Sequence, residues 1–407
     1  MELCENDYTA LCEGCAPLSA DINSALSVGF TRLTDFWRDR YLNEFIREGG
    51  SRIKFISGRP GCGKTHFLRL LAEEGRKGGY QVVSFSAKDV WLHDFREIYR
   101  EIVRQCDLAL CLDRAAGAVI RSMGYDPADI PEGMDFMTYL SGIGEGDALN
   151  RRAIRMELKE TFLKNPRMDN NFSLACSMLA GGILGHPVLE DKSRETLLGF
   201  LRGDPEIKAA MLRSVGLAPV QITKYNARHM LRSLGELLRL GGYKGLMVLI
   251  DQMDILLGQP GTESIHYTKL RREDTYESIR QLIDEIDTLH RMMFVFAFDR
   301  ALLDDENAGI KSYQALWMRV QNEIVSERFN LFADIVDLDR YESQFFTADA
   351  LAEMSGKLAS LLSEHWGPVP ALTKEEAAEL MERARTAGIG LPRLVCQRTL
   401  EGGEADV

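Results

Sequence analysis

Short runs of consecutive apolar residues alternate along this chain with longer stretches in which apolar residues recur at helical spacing. The runs are Ile53–Ser57, Tyr80–Phe85, Leu246–Asp251, Met293–Ala297 and Ile335–Leu338. Each is predicted to be a buried strand, because strands covered on both faces are apolar almost throughout. Phe67–Leu71, which follows the first run, has the spacing of a helix packed on a sheet. The pattern therefore predicts an α/β fold with a parallel sheet.

A long helical block separates the second and third of these strands. Its predicted helices are Asp94–Ile120, Ala148–Leu163, Phe172–Leu184, Glu190–Leu201 and Asn226–Leu240. Glycine and proline punctuation, as in Gly203-Asp204-Pro205, separates them. A block of this length between two strands of one sheet is an inserted helical region rather than a loop. Further helices are predicted at Leu33–Arg47, Thr275–Leu289, Tyr313–Ser326 and along most of the chain after Phe345.

These patterns divide the chain into five predicted parts. In chain order they are an N-terminal arm at 1–30, the first part of the α/β core at 31–93, a helical insertion at 94–240, the second part of the core at 241–345, and a C-terminal helical lid at 346–407. The arm is loosely patterned and is expected to be partly mobile.

The first strand and the helix after it flank Gly58-Arg59-Pro60-Gly61-Cys62-Gly63-Lys64-Thr65. Strand, glycine-rich turn and helix form the context of a phosphate-binding loop, in which backbone N–H groups and a helix N-terminus face an anion. Lys64 is predicted to reach the β- and γ-phosphates, and the Thr65 hydroxyl to ligate Mg²⁺. The other predicted nucleotide contacts here are Gly58, Pro60, Gly61, Cys62, Gly63 and His66. The sequence thus predicts binding of a nucleoside triphosphate.

The third strand ends in Asp251, which is predicted to hold Mg²⁺ through water. A structural aspartate at the end of a buried strand is the alternative. Gln252 follows, and an amide can orient a water molecule but cannot take its proton at neutral pH. Hydrolysis is therefore predicted to be slow unless another carboxylate serves, and Asp254 is the candidate if the strand continues.

Several residues further along are candidates to contact or sense the γ-phosphate. Asp299 is a candidate to position water and Arg300 to contact phosphate, although either can equally cap the following helix. Arg319 and Arg328 are candidates for an arginine finger. Arg393 follows a glycine turn at the start of a helix, where it resembles the lid arginine of AAA+ ATPases; a surface arginine is the alternative.

The net charge of −12 argues against a surface that is basic overall but leaves room for local basic stripes. Two such stripes have helical spacing, and solvated helix faces explain them as well as DNA contact does: Arg151, Arg152, Arg155 and Lys159, and Lys224, Arg228 and Arg232. No apolar run has the length of a membrane span, and the first residues are acidic, so a cytoplasmic location is expected.

Three of the eight cysteines lie near the N-terminus, at Cys4, Cys12 and Cys15. The last two form a CxxC motif, but structural zinc needs four ligands, and neither a second CxxC nor a nearby histidine supplies the fourth. A metal or redox role is therefore the less favoured interpretation.

Several motifs together resemble the BrxC and BrxD type of ATP-binding protein from BREX phage-defence systems. The segments that carry the resemblance are Gly63–Leu68, Tyr243–Asp251, Ile279–Asp284, Phe294–Ala297 and Tyr313–Leu316 followed by Arg319. It covers about residues 25–400 and leaves out the cysteine-bearing N-terminus. The resemblance implies a P-loop NTPase with an AAA+-like core that uses ATP and Mg²⁺. It also implies an oligomer or hetero-complex that acts beside other defence proteins on double-stranded DNA.

Two departures from the family pattern put brisk turnover in doubt. The family has Asp-Glu where this chain has Asp251-Gln252, and a small polar turn where it has Phe298-Asp299-Arg300. Two functions therefore stay open, an ATPase acting on DNA in a multi-protein defence system and an ATP-locked scaffold or switch with little hydrolysis. A signalling ATPase, the third possibility, needs an effector domain that the sequence does not display.

Overall fold

A computed structural model describes residues 4–258, 265–321 and 329–404 of the chain. It divides into two compact units. The first comprises Met1–Asp89, Met247–Ile286 and Met293–Val407, and the second comprises Val90–Leu246 and Asp287–Met292. Among the described residues, no helix combines the length and the apolar character needed to cross a bilayer.

The sheet has five parallel strands in the order β2-β3-β4-β1-β5. They are β1 (Arg52–Gly58), β2 (Gln81–Ser86), β3 (Leu246–Asp251), β4 (Met292–Asp299) and β5 (Ile335–Asp337). Beside β1, Gly58 lies opposite Asp299 of β4, and Ser57 lies opposite Asp337 of β5. The carboxyl ends of these strands therefore meet at one edge of the sheet, where parallel α/β folds place their ligands. The predicted α/β class with a parallel sheet is confirmed.

The predicted arm at 1–30 contains two short helices that its loose pattern did not predict, α1 (Glu5–Cys12) and α2 (Ala20–Ala25). The first unit continues with α3 (Thr31–Phe36), which runs into a π-helix over Trp37–Ile46, and with α4 (Lys64–Lys77), where helices were predicted. Leu11 and Ile22 are buried in a cluster with apolar residues near the C-terminus. The helices α1 and α2 have only eight and six residues, which is shorter than the sequence window in which apolar periodicity can be recognised.

The second unit is a bundle of short helices that follows β2. They are α5 (Phe95–Arg104), α6 (Leu108–Ser122), α7 (Phe136–Gly142), α8 (Ala148–Leu158), α9 (Asn170–Ile183), α10 (Asp191–Arg202), α11 (Ala209–Ser214) and α12 (Ala227–Leu240). The helix predicted at Asp94–Ile120 is two helices, since Asp107 caps a new one by accepting from the Leu110 N–H at 2.9 Å. The first and last helices of this bundle, α5 and α12, pack against each other.

Helices again dominate the first unit after β3. They are α13 (Lys269–Glu285), α14 (Arg300–Asp304), α15 (Gln314–Val320), α16 (Leu338–Phe345), α17 (Ala348–Trp366), α18 (Lys374–Ala387) and α19 (Leu391–Glu404). The last three pack on one another, and Thr373 and Glu376 begin α18 with a capping box. The helix predicted at Tyr313–Ser326 begins at Gln314, and its last residues lie outside the described residues.

The main apolar core fixes α4 against the sheet. Phe67 and Leu71 of α4 are fully buried in one cluster with Ile56, Leu249 and Val295 from three adjacent strands. Burying such side chains contributes about 1.5–3 kcal/mol each relative to solvent. Because α4 is held in this way, its first residues stand at the carboxyl edge of the sheet.

Candidate functional site

The turn between β1 and α4 presents backbone N–H groups to one concave surface. Gly61 and Gly63 have φ values of +82° and +91°, a conformation that favours glycine. Among the described residues no acceptor pairs with the N–H of either glycine. The first N–H groups of a helix also lack intrahelical partners, and α4 begins at Lys64. The turn therefore has the donors that bind an anion at a helix N-terminus.

Lys64 lies under this turn with all three of its N–H donors in use. Its Nζ donates to the carbonyl oxygens of Gly58 at 2.9 Å and Arg59 at 3.0 Å, and to Asp299 Oδ1 at 2.6 Å. Burial by itself lowers the pKa of Lys64, but the hydrogen bond and charge of Asp299 help to raise it above its ordinary value. The ammonium group of Lys64 is thus charged and forms an ion pair with Asp299 at the end of β4.

Thr65 and Asp251 bring a hydroxyl and a carboxylate together beside Lys64. Thr65 Oγ1 donates to Asp251 Oδ2 at 2.6 Å, and Asp251 Oδ1 accepts from the Gln252 N–H at 2.8 Å. These are hard oxygen ligands of the kind that Mg²⁺ prefers. No group of three or more acidic, histidine or cysteine side chains suited to a metal occurs among the described residues. A triphosphate-bound Mg²⁺ does not need one, because waters and phosphates complete its shell.

Gln252 leaves the strand in an unusual conformation. Its φ of +59° lies in the left-handed region, which is uncommon for residues other than glycine. Its Oε1 accepts from Ser86 Oγ at 2.7 Å, and Ser86 Oγ in turn accepts from the Lys88 N–H at 3.0 Å. Ser86, at the end of β2, was not predicted as a site residue, because nothing in the sequence shows that β2 lies beside β3. The hydrogen bond from Ser86 uses one of the two lone pairs of the Gln252 amide oxygen.

Asp254 does not lie on a continued strand, so the geometry assumed for it was wrong. β3 ends at Asp251, and Asp254 belongs to a 3-10 turn at Met253–Leu257. Burial, and then the negative charge of Asp299, raise the pKa of Asp254 above its ordinary value. It nevertheless remains electrostatically coupled to Lys64.

Asp299 and Arg300 have separate partners. Asp299 stands at the N-cap position of α14, but its side chain makes no capping hydrogen bond and binds Lys64 instead. Arg300 turns to Asp304 and Asp337, with an N–O distance of 3.2 Å to each. Of the alternatives left open by the sequence, side-chain capping by Asp299 is therefore not the arrangement found.

Of the two candidate arginine fingers, Arg319 is the one that the structure describes, and its hydrogen-bond partners lie on α13 and α15. Arg319 donates to both carboxylate oxygens of Asp284, at 2.5 and 2.8 Å, and to the Ala315 carbonyl at 2.6 Å. The hydrogen bond from Arg319 lowers the pKa of Asp284. Arg328 lies outside the described residues. A role for either arginine at a neighbouring subunit stays a prediction.

The start of α19 is bonded directly to the glycine-rich turn. The Gly390 N–H donates to the Pro60 carbonyl at 2.9 Å, and the Arg393 N–H donates to the Gly61 carbonyl at 3.2 Å. Arg393 Nη2 donates to the Glu13 carbonyl at 2.9 Å, whereas its buried Nε has no partner among the described residues. Arg393 is therefore at the site with part of its donor capacity unused.

A buried carboxyl group lies behind this junction. Glu342 on α16 is 1% exposed, its Oε2 is 3.6 Å from Arg59 Nη2, and its Oε1 has no partner among the described atoms. Burial raises the pKa of Glu342 to about 8. The Arg59 side chain is held mainly by Asp339, at 2.9 Å. Glu342 was not predicted as a site residue.

A cavity of about 290 Å³ opens beside the turn. Of the predicted site residues, those that line it are Gly61, Gly63, Lys64, Thr65, His66, Gln252 and Arg393. Gly58, Pro60 and Cys62 do not line it, and Cys62 is buried, which raises the pKa of its thiol. Burial also lowers the pKa of His66 to about 4, so its ring is neutral near pH 7 and meets Asn23 Oδ1 at 2.8 Å.

Apart from Cys15 of the CxxC motif, the apolar wall of this cavity comes from residues that the sequence did not single out. They belong to the N-terminal helices, the segment before α3, and the C-terminal helices: Leu11, Cys15, Leu26, Val28, Phe30, Met354 and Cys396. The predicted mobile arm therefore forms one side of the site. Cys4, Cys12 and Cys15 are exposed free thiols.

The two basic stripes differ in how their charges are used. In the second unit, Arg151, Arg152, Arg155 and Lys159 are exposed, and none of them forms an ion pair among the described residues. The other stripe has intramolecular contacts. Arg232 Nε donates to the Arg167 carbonyl at 3.1 Å, and Arg228 lies 5.4 Å from the centre of the Phe95 ring.

No curated protein compared with the chain matches it. The sequence profile of the BREX system ATP-binding protein BrxC/D family, however, matches residues 9–400. The match begins earlier than the resemblance at about residue 25 had indicated, so it includes the segment with Cys12 and Cys15. The chain therefore belongs to the BrxC/D family of BREX system ATP-binding proteins.

Proposed function

We propose that the chain binds ATP with Mg²⁺ at the turn 58–65 and hydrolyses it slowly, as a switch that acts on double-stranded DNA beside other proteins of the BREX system. The observation that carries this proposal is the convergence at one sheet edge of the Gly61 and Gly63 N–H groups, the Lys64 ammonium and the Thr65–Asp251 pair.

The phosphates are proposed to lie along the turn. The unpaired N–H groups and the α4 N-terminus would donate to their oxygens, and Lys64 would bridge the β- and γ-phosphates. Thr65 and Asp251 are the residues that would hold Mg²⁺, which neutralises triphosphate charge when bound. The hydrogen bond of 2.6 Å between the Thr65 hydroxyl and the Asp251 carboxylate supports this assignment, because it places the two oxygen groups side by side.

The rest of the nucleotide is proposed to occupy the 290 Å³ cavity. Its wall includes Leu11, Val28, Phe30 and Met354, which suits a base, while its other side is the turn itself. Neutral His66 and the Arg393 guanidinium are the polar groups at its margin. The family supplies the preference for adenine, since the sequence has no guanine-reading Asn-Lys-x-Asp motif.

Slow turnover is proposed because the residue after Asp251 is Gln252, an amide whose oxygen already accepts one hydrogen bond. Gln252 Oε1 accepts from Ser86, and an amide has no basic site to take a proton from water. Asp254 is the other candidate base, but burial raises its pKa and so favours its neutral form. The same observation favours a second candidate function, an ATP-locked scaffold with negligible hydrolysis.

Action on DNA is proposed on the α8 stripe. The exposed Arg151, Arg152, Arg155 and Lys159 have no carboxylate partner among the described residues, although the chain as a whole is acidic. A row of unpaired cations at helical spacing suits a phosphate backbone. Other proteins of the system, or further copies of the chain, would assemble around this activity.

The test is Mg²⁺-ATP binding and turnover by purified protein, with and without duplex DNA, beside Lys64→Ala and Gln252→Glu. We expect Lys64→Ala to abolish binding, and tight binding by that variant would overturn the proposed site. Slow turnover that rises with DNA supports the DNA-acting switch. Negligible turnover under both conditions, restored by Gln252→Glu, would favour the scaffold instead.

DNA binding is tested with the double variant Arg152→Glu and Arg155→Glu. The matched control is Arg104→Glu, an exposed arginine of the same unit that is already paired with Glu101 at 2.5 Å. We expect duplex affinity to fall and the log–log salt slope to drop by about two in the double variant only. Equal duplex binding by the double variant and the wild type would remove the stripe from the proposal.

A further inference from the structure

Asp299 occupies the one donor of Lys64 that points away from the turn. Two donors of the ammonium group are bonded to carbonyl oxygens of the turn, and the third is bonded to Asp299 Oδ1 at 2.6 Å. The lysine side chain is only 10% exposed, so the ion pair is weakly screened by solvent. An ammonium group has three donors, so a further anion must displace one of these acceptors.

We propose that Asp299 competes with the γ-phosphate for Lys64 and thereby determines how well the site takes a nucleoside triphosphate relative to a diphosphate. The inference rests on the proposed function, because it assumes that phosphates bind at the turn. Asp299 acts as a specificity-determining residue whose carboxylate blocks the binding-competent form of Lys64.

The position of Asp299 is fixed by the sheet and is not a consequence of helix capping. Its backbone lies opposite Gly58 in the β1–β4 register, which aims the side chain at the start of the turn. An aspartate before a helix normally accepts from the N–H groups of the first turn. Asp299 makes no such bond, although α14 begins at the next residue. The Asp299 side chain therefore binds Lys64 and does not cap α14.

The charges around Asp299 strengthen the competition. Arg300, the nearest cation in sequence, is bonded to Asp304 and Asp337 and so does not neutralise Asp299. Asp254 is a second acidic group that influences Lys64, and Asp299 and Asp251 are in turn among the charges that influence Asp254. A triphosphate brings the γ-phosphate, and with it more negative charge, toward these carboxylates. The cost is therefore larger for ATP than for ADP.

The magnitude follows from a population argument. If Lys64 is free of Asp299 in about one molecule in ten, the apparent affinity for a ligand that needs the free ammonium falls about tenfold. A substitution that removes the charge of Asp299 should therefore reverse this roughly tenfold loss of apparent affinity. A purely structural ion pair would instead give a less stable protein with no gain in affinity.

The test is the affinity of wild-type protein, Asp299→Asn and Asp299→Ser for a non-hydrolysable ATP analogue and for ADP, measured by calorimetry with Mg²⁺. Asp304→Asn is the matched control, since it removes an exposed carboxylate of the same helix that pairs only outside the turn, with Arg300 and Lys311. We expect both Asp299 variants to bind the ATP analogue about tenfold more tightly, with a smaller gain for ADP, and the control to be unchanged.

Unchanged or weaker binding of the ATP analogue by folded Asp299→Asn and Asp299→Ser would overturn the inference. Equal gains for both nucleotides would also overturn it, because the γ-phosphate would then not be the competing group. Failure of the wild-type protein to bind either nucleotide would refute the proposed function itself. Circular dichroism of each variant verifies that it is folded before affinities are compared.

Discussion

Gly390→Ala tests whether the junction between α19 and the glycine-rich turn matters for binding. A Cβ at this position would lie 2.2 Å from the Cys62 nitrogen and 2.4 Å from its Cα, which are backbone atoms. The two segments must separate by about 1.2 Å to restore an ordinary contact of 3.4 Å. Such overpacking costs about 1–3 kcal/mol, and loss of the Gly390–Pro60 hydrogen bond adds about 1 kcal/mol. We expect a total loss of about 2–4 kcal/mol of stability at this junction.

The assay compares ATP affinity and thermal unfolding of Gly390→Ala with Gly356→Ala. Gly356 lies inside α17, where an added Cβ meets nothing within 4 Å, so alanine there should be neutral or stabilise the helix by up to about 1 kcal/mol. We expect Gly390→Ala to bind ATP at least about tenfold more weakly, because the carbonyl groups of Pro60 and Gly61 lose their partners on α19. Wild-type affinity and stability in Gly390→Ala would refute this account of the junction.

Three further predictions address the base, the buried acid and the N-terminal helices. Gln252→Glu should raise ATP turnover about 10²-fold by supplying a general base, and unchanged turnover in a variant that still binds ATP would assign the slow step elsewhere. Glu342 has a folded-state pKa of about 8, above its usual 4.5, so its contribution to stability is complete below pH 4.5 and is lost as the pH rises to 8. Urea unfolding should therefore show a decline of a few kcal/mol over that range which Glu342→Gln lacks, and parallel profiles would contradict the shift. Leu11→Ala should destabilise the packing of α1 by about 2–4 kcal/mol and expose residues 4–30 to limited proteolysis, whereas wild-type resistance would show that the contact is dispensable.

The strands of the sheet and the residues of the turn could be predicted because each is specified by residues that are consecutive in the sequence. Five apolar runs gave the five strands to within a few residues, since strands buried on both faces need nothing but apolar side chains. The Gly58–Thr65 spacing placed the turn between a strand and a helix in the same way. The residue types of Thr65 and Asp251 predict two oxygen ligands for one ion, and their side chains are joined by a hydrogen bond of 2.6 Å.

The contacts that give the site its particular character could not be predicted, because they join residues far apart in sequence. Ser86 reaches Gln252 only because β2 lies beside β3, and Asp299 reaches Lys64 only because of the β1–β4 register. Asp254 was a candidate only if the strand continued past Asp251, and it does not, because Gln252 turns into the left-handed region. Short helices such as α1 and α2 were missed because eight or fewer residues carry too little periodicity.

The neighbouring positions of β2 and β3 have a consequence for how the chain folds. The two strands are adjacent in the sheet, yet the entire α5–α12 bundle lies between them in sequence. Closing so long a loop by strand pairing alone would carry a large entropic cost. The packing of α5 on α12 brings the two ends of the insertion together from within, so the bundle can close that loop before the strands meet. We therefore expect the bundle to form before the strands pair, so that substitutions which destabilise α5 or α12 slow formation of the sheet.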